Sequence, residues 1–410
     1  MVARVAAGAS LADEFIRVAD EGSSTPRAAL IDLTHGTLRR YGRVQKIVAE
    51  LSKRPGSDAL LEALLWCSLY ALDSGRYAQY TVVDQAVRAA GLLQKWAAKG
   101  YVNAVLRAAL RGKAMLEARI AGDLQARHMH PRWWIDALRA AYPSQWQSVL
   151  AAGNSHPPMC LRVNRSRTDR EGYRVRLAEA GMSARPIGAD GLLLDRPVPV
   201  ERLPRFADGE VSVQDAGAQL AAPFLDLSPG QRVLDACAAP GGKAAHILET
   251  AAVELTALDA DAARLERVSR NLARLRLSAR RIAAADCRVP ADWWDGAPFD
   301  RVLADVPCSA SGVVRRHPDV KWLRRSQDLA AFAARQGEIL DALWQVLGPG
   351  GKLLYVTCSV FPQENDAVVE AFVARTPAAR RLALPDAGPS QRLPVAEHDG
   401  FYYALIQRPG

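Results

Sequence analysis

Six cysteines are scattered over 410 residues without one C-x-x-C pair. That scatter argues against a structural zinc site and against a disulfide framework, so no metal is expected. Long apolar runs are also missing. The most apolar stretch, "DALLEALLWCSLYALDSG" at 58–75, is divided by Glu62 and is too short for a bilayer span. The opening "MVARVAAGASLADEF" meets Asp13 and Glu14 before a secretory core can form. A cytoplasmic protein with no membrane partner is therefore expected. Neither G-x-G-x-x-G nor G-x-x-x-x-G-K-[ST] occurs, which disfavours a dinucleotide or a nucleoside triphosphate as ligand. No fixed-period repeat or low-complexity tract appears, and 49% hydrophobic with 24% charged residues is ordinary globular composition.

What is present is an uneven charge. The net +9 lies entirely in residues 1–210, with 30 Lys+Arg against 21 Asp+Glu, while residues 211–410 carry 23 of each. A polyanion docking on the first half would be drawn in electrostatically.

Texture divides the chain into three. From Thr25 to about Ile120 apolar residues recur at helical spacing, separated by breaks such as "KRPGSD", so residues 1–140 read as an all-helical domain. Residues 141–210 read as a connector and a small α+β unit, Arg-dense at its start, where Arg162, Arg165, Arg167 and Arg170 are candidates for phosphate contact. Residues 211–410 alternate strand and helix, the pattern of a doubly wound parallel sheet. Its expected strands are "QRVLDAC", "ELTALDA", "RRIAAAD", "FDRVLADVP" and "GKLLYVTCSV". Ligands of such sheets bind at the carboxyl ends of the strands.

The first strand runs into "ACAAPGGKAAHILE". Cys237 stands where a triphosphate loop needs its first Gly, and Ala244 follows Lys243. The loop Cys237, Ala238, Ala239, Pro240, Gly241, Gly242 and Lys243 thus suits a nucleoside cofactor without a pyrophosphate. Asp259 ends the second strand, placed for ribose hydroxyls, and Asp286 ends the third, placed for an adenine amino group. The combination points to S-adenosylmethionine.

The fourth and fifth strands deliver Asp305-Val306-Pro307-Cys308 and Thr357-Cys358-Ser359 to one pocket. Carbon 5 of cytosine is too weak a nucleophile to take a sulfonium methyl unaided. A thiolate adding at carbon 6 makes it enamine-like, an acid near ring nitrogen 3 stabilises the adduct, and a proton must later leave carbon 5. Two cysteines and one aspartate meet that requirement, provided a thiol ionises.

Four stretches, "LDACAAPGGKAAHILE", "ADVPCSASGVVRRHPDVKWLRR", "YVTCSVFPQENDAVVEAF" and "HDGFYYALI", closely resemble the Sun (Fmu) family of RNA cytosine-5 methyltransferases. The helical first third looks like the NusB-like domain of the bacterial members that act on 16S ribosomal RNA. The resemblance implies an all-α NusB-like bundle, a small α+β RNA-binding unit and an α/β Rossmann-like S-adenosylmethionine-dependent methyltransferase domain. It further implies Cys358 as nucleophile, Cys308 as the residue assisting proton removal and product release, and Asp305 at the cytosine and beside the cofactor. Ser311 stands where the family often has Thr, which keeps the hydroxyl.

On this reading Arg315, Arg316 and Lys321, with Arg162 and Arg165, are expected to touch phosphates around a cytidine pulled from its stack, in naked 16S ribosomal RNA or an early small-subunit precursor. His317 is the lesser candidate for catalysis, and a monomer is expected. Two rivals stand beside it. A DNA-type enzyme would use Cys308 as nucleophile and leave "TCSV" without a purpose. A non-catalytic assembly factor would not need both cysteines and all three acids.

Overall fold

The computed structural model describes residues 1–20, 27–52 and 58–410. The expected break at 53–57 and the expected helical start at Thr25 lie outside the described residues. Compactness divides the rest into two units: Met1–His156 with Val314–Ser326, and Pro157–Val313 with Gln327–Gly410. The three-way division at 140 and 210 remains our proposed segmentation of the sequence.

The first unit is helical. Its central helix, Ala59–Ser74, starts where the Asp58 side chain accepts from the amides of Leu60 and Leu61, and stops at Gly75 with φ +69°. Around it pack Arg27–Arg39, Tyr41–Leu51, Gln79–Leu92 and Lys99–Arg111, burying Leu38, Val44, Leu65, Leu69, Val102 and Leu106. The apolar spacing seen in the sequence is the inner stripe of these helices. Among the described residues no helix is long and apolar enough to cross a membrane.

In the second unit four strands, β1 (Met159–Val163), β2 (Ala184–Ile187), β3 (Gly191–Leu194) and β4 (Val211–Val213), form an antiparallel sheet ordered β2-β3-β1-β4. The helix Arg170–Glu179 packs on it through Tyr173 and Leu177, capped by Asp169 accepting from the Gly172 amide.

The larger sheet holds β5 (Arg232–Asp235), β6 (Glu254–Asp259), β7 (Arg281–Ala284), β8 (Phe299–Asp305), β9 (Leu347–Thr357), β10 (Arg380–Leu382), β11 (Gln391–Arg392) and β12 (Phe401–Gln407). Its main path runs β10-β12-β9-β8-β5-β6-β7, with β11 paired to β12. The five expected strands are the parallel ones, β5 to β9. The antiparallel edge made by β12 and β10 was not among them. From β5 the chain proceeds to β6 and β7 on one side, then to β8 and β9 on the other. That reversal falls between β5 and β8, and the loop Cys237–Lys243, Asp259, Asp305, Cys308 and Cys358 stand at or just beyond the carboxyl ends of the parallel strands.

Candidate active site

The loop after β5 is held against the sheet by its own backbone. Gly241 adopts φ +97°, and a Cβ there would stand 3.0 Å from the Cα of Val268, so only glycine lets the loop pass. The helix Gly242–Thr250 follows at once. Asp259 is buried. Its two oxygens accept from the amides of Ala239 and Asp261, both at 3.1 Å, with the Arg264 guanidinium 3.5 Å away. It therefore shapes the loop besides offering its remaining lone pairs to a ligand.

Asp286 lies two residues beyond the end of β7. Its carboxylate is gripped by Arg288, with Nη2 to Oδ2 at 2.7 Å, and the hydrogen bond from Arg288 holds its pKa below the usual carboxylate value.

Lys243 points the other way. Its Nζ donates to Asp305 Oδ2 at 2.6 Å and stands 5.6 Å from the centre of the Phe401 ring. Burial works against the ammonium, but the Asp305 carboxylate outweighs it, and the lysine pKa is raised.

Asp235, the last residue of β5, is a candidate site residue that sequence reasoning missed. It is 1% exposed, and among the described residues neither carboxylate oxygen has a hydrogen-bond partner. Burial first, then the neighbouring Asp305 charge, push its pKa up to about 7, while the Cys237 amide and Lys243 offset part of this, the amide from outside hydrogen-bonding geometry. The signal was available: an acid inside an apolar strand "RVLDA", one residue before the loop. A buried carboxylate with no partner, beside a second carboxylate, fits a ligand that brings positive charge. S-adenosylmethionine, with its sulfonium and amino groups, meets that condition.

The two cysteines do converge. Cys308 Sγ and Cys358 Sγ are 3.4 Å apart, and both are free thiols. The hydrogen bond with Cys358, then burial, raise the Cys308 pKa well above the ordinary thiol value. Register explains the meeting, because Asp305 on β8 lies beside Val356 on β9, so both strands end at one level. The turn after Cys308 is closed by backbone: Gly312 N donates to Cys358 O at 2.8 Å, and Gly400 N to Gly312 O at 2.9 Å. A Cβ on Gly312 would come within 2.3 Å of Gly400 O. The glycine of "HDGFYYALI" therefore belongs to the cysteine loop, a link that no local pattern reveals.

Three of the basic residues, Arg162, Lys321 and Arg315, are corrected by the structure. Arg162 is fully buried, in a two-pronged pair with Glu249 at 2.9 Å on each arm, and donates to the carbonyl of Gly242 at 2.8 Å. It ties β1 to the helix Gly242–Thr250 at both ends and is not presented to phosphate. Lys321 is also fully buried. Its Nζ donates to Arg39 O at 2.9 Å and Asn154 Oδ1 at 2.8 Å, and burial drives its pKa well below the lysine range. Arg315 is 1% exposed, with its own carbonyl accepting from Arg39 Nη2 at 2.9 Å. The segment 314–326 is thus an internal strap of the helical unit, with Trp322 Nε1 donating to Leu38 O at 2.7 Å. Its charges read as a surface only because sequence does not report burial. Arg316 is half-buried and His317 exposed, while Arg165 remains at the surface beside Asp190 at 3.4 Å.

Lys321→Ala is accordingly expected to destabilise the helical unit by about 1–3 kcal/mol, because two part-buried acceptors lose their donor. The salt slope of RNA binding should stay unchanged. A slope reduced by about one, with an unaltered melting temperature, would restore the phosphate role.

Comparison with known proteins agrees with this architecture. Residues 222–407 match the model of the 16S rRNA methyltransferase RsmB/F family. Residues 130–201 match the RsmF/B-like ferredoxin-like domain, and residues 6–111 match the NusB family. A curated relative from Pseudomonas putida, "Ribosomal RNA small subunit methyltransferase B", is 48% identical over 94% of this chain and 92% of its own length. One of the same name from Vibrio cholerae is 44% identical over 93% of this chain and 89% of its own length. The crystal structure of a methyltransferase homologue from Pyrococcus horikoshii covers 69% of this chain and 97% of its own at 25% identity, with a TM-score of 0.61.

Proposed function

Because the chain belongs to the RsmB/F family of 16S rRNA methyltransferases, which use S-adenosylmethionine, we propose that it methylates carbon 5 of a cytidine in 16S ribosomal RNA through a covalent adduct with Cys358. The single observation that carries this reading is the pair of thiols 3.4 Å apart at the ends of β8 and β9. S-adenosylmethionine supplies an electrophilic methyl group when bound. Everything else falls to this chain. The loop Cys237–Lys243 and Asp259 hold the nucleoside end, Asp286 takes the base edge, and Asp235 offers charge to the cationic groups. Asp305, kept in place by Lys243, presents a carboxyl to the ring nitrogen of the cytosine. Cys358 adds to carbon 6, and Cys308 assists loss of the proton from carbon 5 and release of product. The enzyme would work as a cytoplasmic monomer.

The test is mass mapping of 5-methylcytidine in 16S ribosomal RNA from cells with and without the gene. One site should lose its methyl group in the deletion and regain it on complementation. Unchanged 5-methylcytidine would reject the reading. Naked RNA and small-subunit precursor particles, offered side by side to purified enzyme, identify the form of the substrate.

Asp235 gives this reading a pH signature. A carboxyl raised in the folded state holds its proton between about 3.8 and 7, where the unfolded chain has released it. Its cost to folding therefore grows with pH across that window. Cofactor affinity runs the opposite way: it should rise through pH 7 as Asp235 ionises beside a cationic ligand. Calorimetric titration from pH 6 to 8 should show this for the natural protein and a flat profile for Asp235→Asn. Equal pH dependence in both would remove Asp235 from the cofactor site.

A further inference from the structure

Six residues after Cys358 stands a carboxylate that the mechanism above does not use. Glu364 is fully buried. Its Oε1 accepts from the backbone amide of Ser309 at 2.7 Å and from Gln336 Nε2 at 3.3 Å, and its Oε2 accepts from Ser359 Oγ at 2.7 Å. Ser309 directly follows Cys308, and Ser359 directly follows Cys358. The hydroxyls of Ser309, Ser311 and Ser359 close a ring at 3.0 to 3.2 Å, and Ser311 Oγ also accepts from the Val360 amide at 2.8 Å. Gln336 reaches the carbonyl of Pro307 at 3.0 Å, one residue before Cys308, and Tyr355 holds the Glu364 carbonyl at 2.6 Å.

Among the described residues no basic side chain pairs with this carboxylate; neutral donors alone satisfy it. A buried charge without a counter-charge is costly, and a neutral amide of the same shape would cost less. Its presence at this point needs a reason beyond packing.

We propose that Glu364 is a positioning residue: its single carboxylate anchors the residue after each cysteine and so sets the approach of the two sulfur atoms. The inference rests on the two-cysteine reading above. The same negative charge adds, after the Cys358 hydrogen bond and burial, to the raising of the Cys308 pKa.

The experiment uses the full-length protein with Glu364→Gln, which removes the charge, and Glu364→Asp, which keeps it but shortens the reach. In Glu364→Gln, kcat should fall about 10- to 100-fold, as expected for reacting atoms displaced by a fraction of an ångström. The KM for RNA and the Kd for S-adenosylmethionine should stay within about twofold of the natural values. A second readout does not depend on methyl transfer. Alkylation of Cys308 by iodoacetamide, followed by mass spectrometry in a Cys358→Ser background, should show a lower pH midpoint with Glu364→Gln. With Glu364→Asp the midpoint should stay near the natural value while kcat still falls. Should Glu364→Gln fail to fold, Glu364→Asp carries the test through its loss of kcat at unchanged KM. An unaltered kcat in both variants, or an alkylation midpoint unmoved by Glu364→Gln, overturns the proposal. If instead the natural protein forms no 5-methylcytidine, the functional reading fails, and the alkylation midpoint still judges Glu364.

Discussion

Cys308→Ala is expected to accumulate a covalent protein–RNA complex that survives denaturing electrophoresis, with turnover reduced to a trace. On the proposed mechanism Cys358 is the sulfur left. Cys358 can still add to carbon 6 and the methyl group can still arrive, so the first half of the reaction proceeds. The second half needs the carbon 5 proton to leave before the thiol is eliminated, and the group best placed to help lies 3.4 Å from the nucleophile. Without it the methylated adduct persists. A wild-type amount of free product, with no trapped complex, would remove Cys308 from the chemistry.

Cys358→Ala should give the opposite result: no adduct and no turnover, a loss of at least about 10⁴-fold, because the thiol proposed to add at carbon 6 is gone. S-adenosylmethionine binding should survive, since none of the cofactor-loop residues is touched. A DNA-type mechanism requires the reverse pair of outcomes, in which the complex is trapped by Cys358→Ala and abolished by Cys308→Ala. Electrophoresis of the two variants after incubation with RNA and cofactor distinguishes the schemes in one experiment. The second pattern would exchange the roles of the cysteines and leave the reaction class standing.

The expectations that held and those that failed separate by physical kind. The parallel strands β5 to β9 were legible because each is a short apolar run closed by a turn, and strand ends are where such sheets carry ligand groups. The turn from β5 into the helix Gly242–Thr250 was legible because glycine spacing constrains a backbone locally. Asp235 was passed over because an acid within an apolar strand looks like strand composition until its burial and missing partners are known. The edge strands β10 and β12 carry no motif that announces an antiparallel return.

By itself, then, the chain's residue order determined the parallel strands β5 to β9, the open α/β class of its second half, and the placing of two cysteines and their acids at strand ends. Each of these depends on interactions within a few residues or on the chemistry a side chain owns. Only the tertiary structure decided that Arg162 faces Glu249, that Lys321 sits among carbonyls of the helical unit, that Gly400 closes against Gly312, and that Glu364 holds both cysteine loops. Each of those pairings joins residues distant in the chain or separated by a turn. A charge written in sequence carries its sign but not its surroundings, and burial and partners determine whether it meets phosphate, folds a domain or positions a sulfur atom.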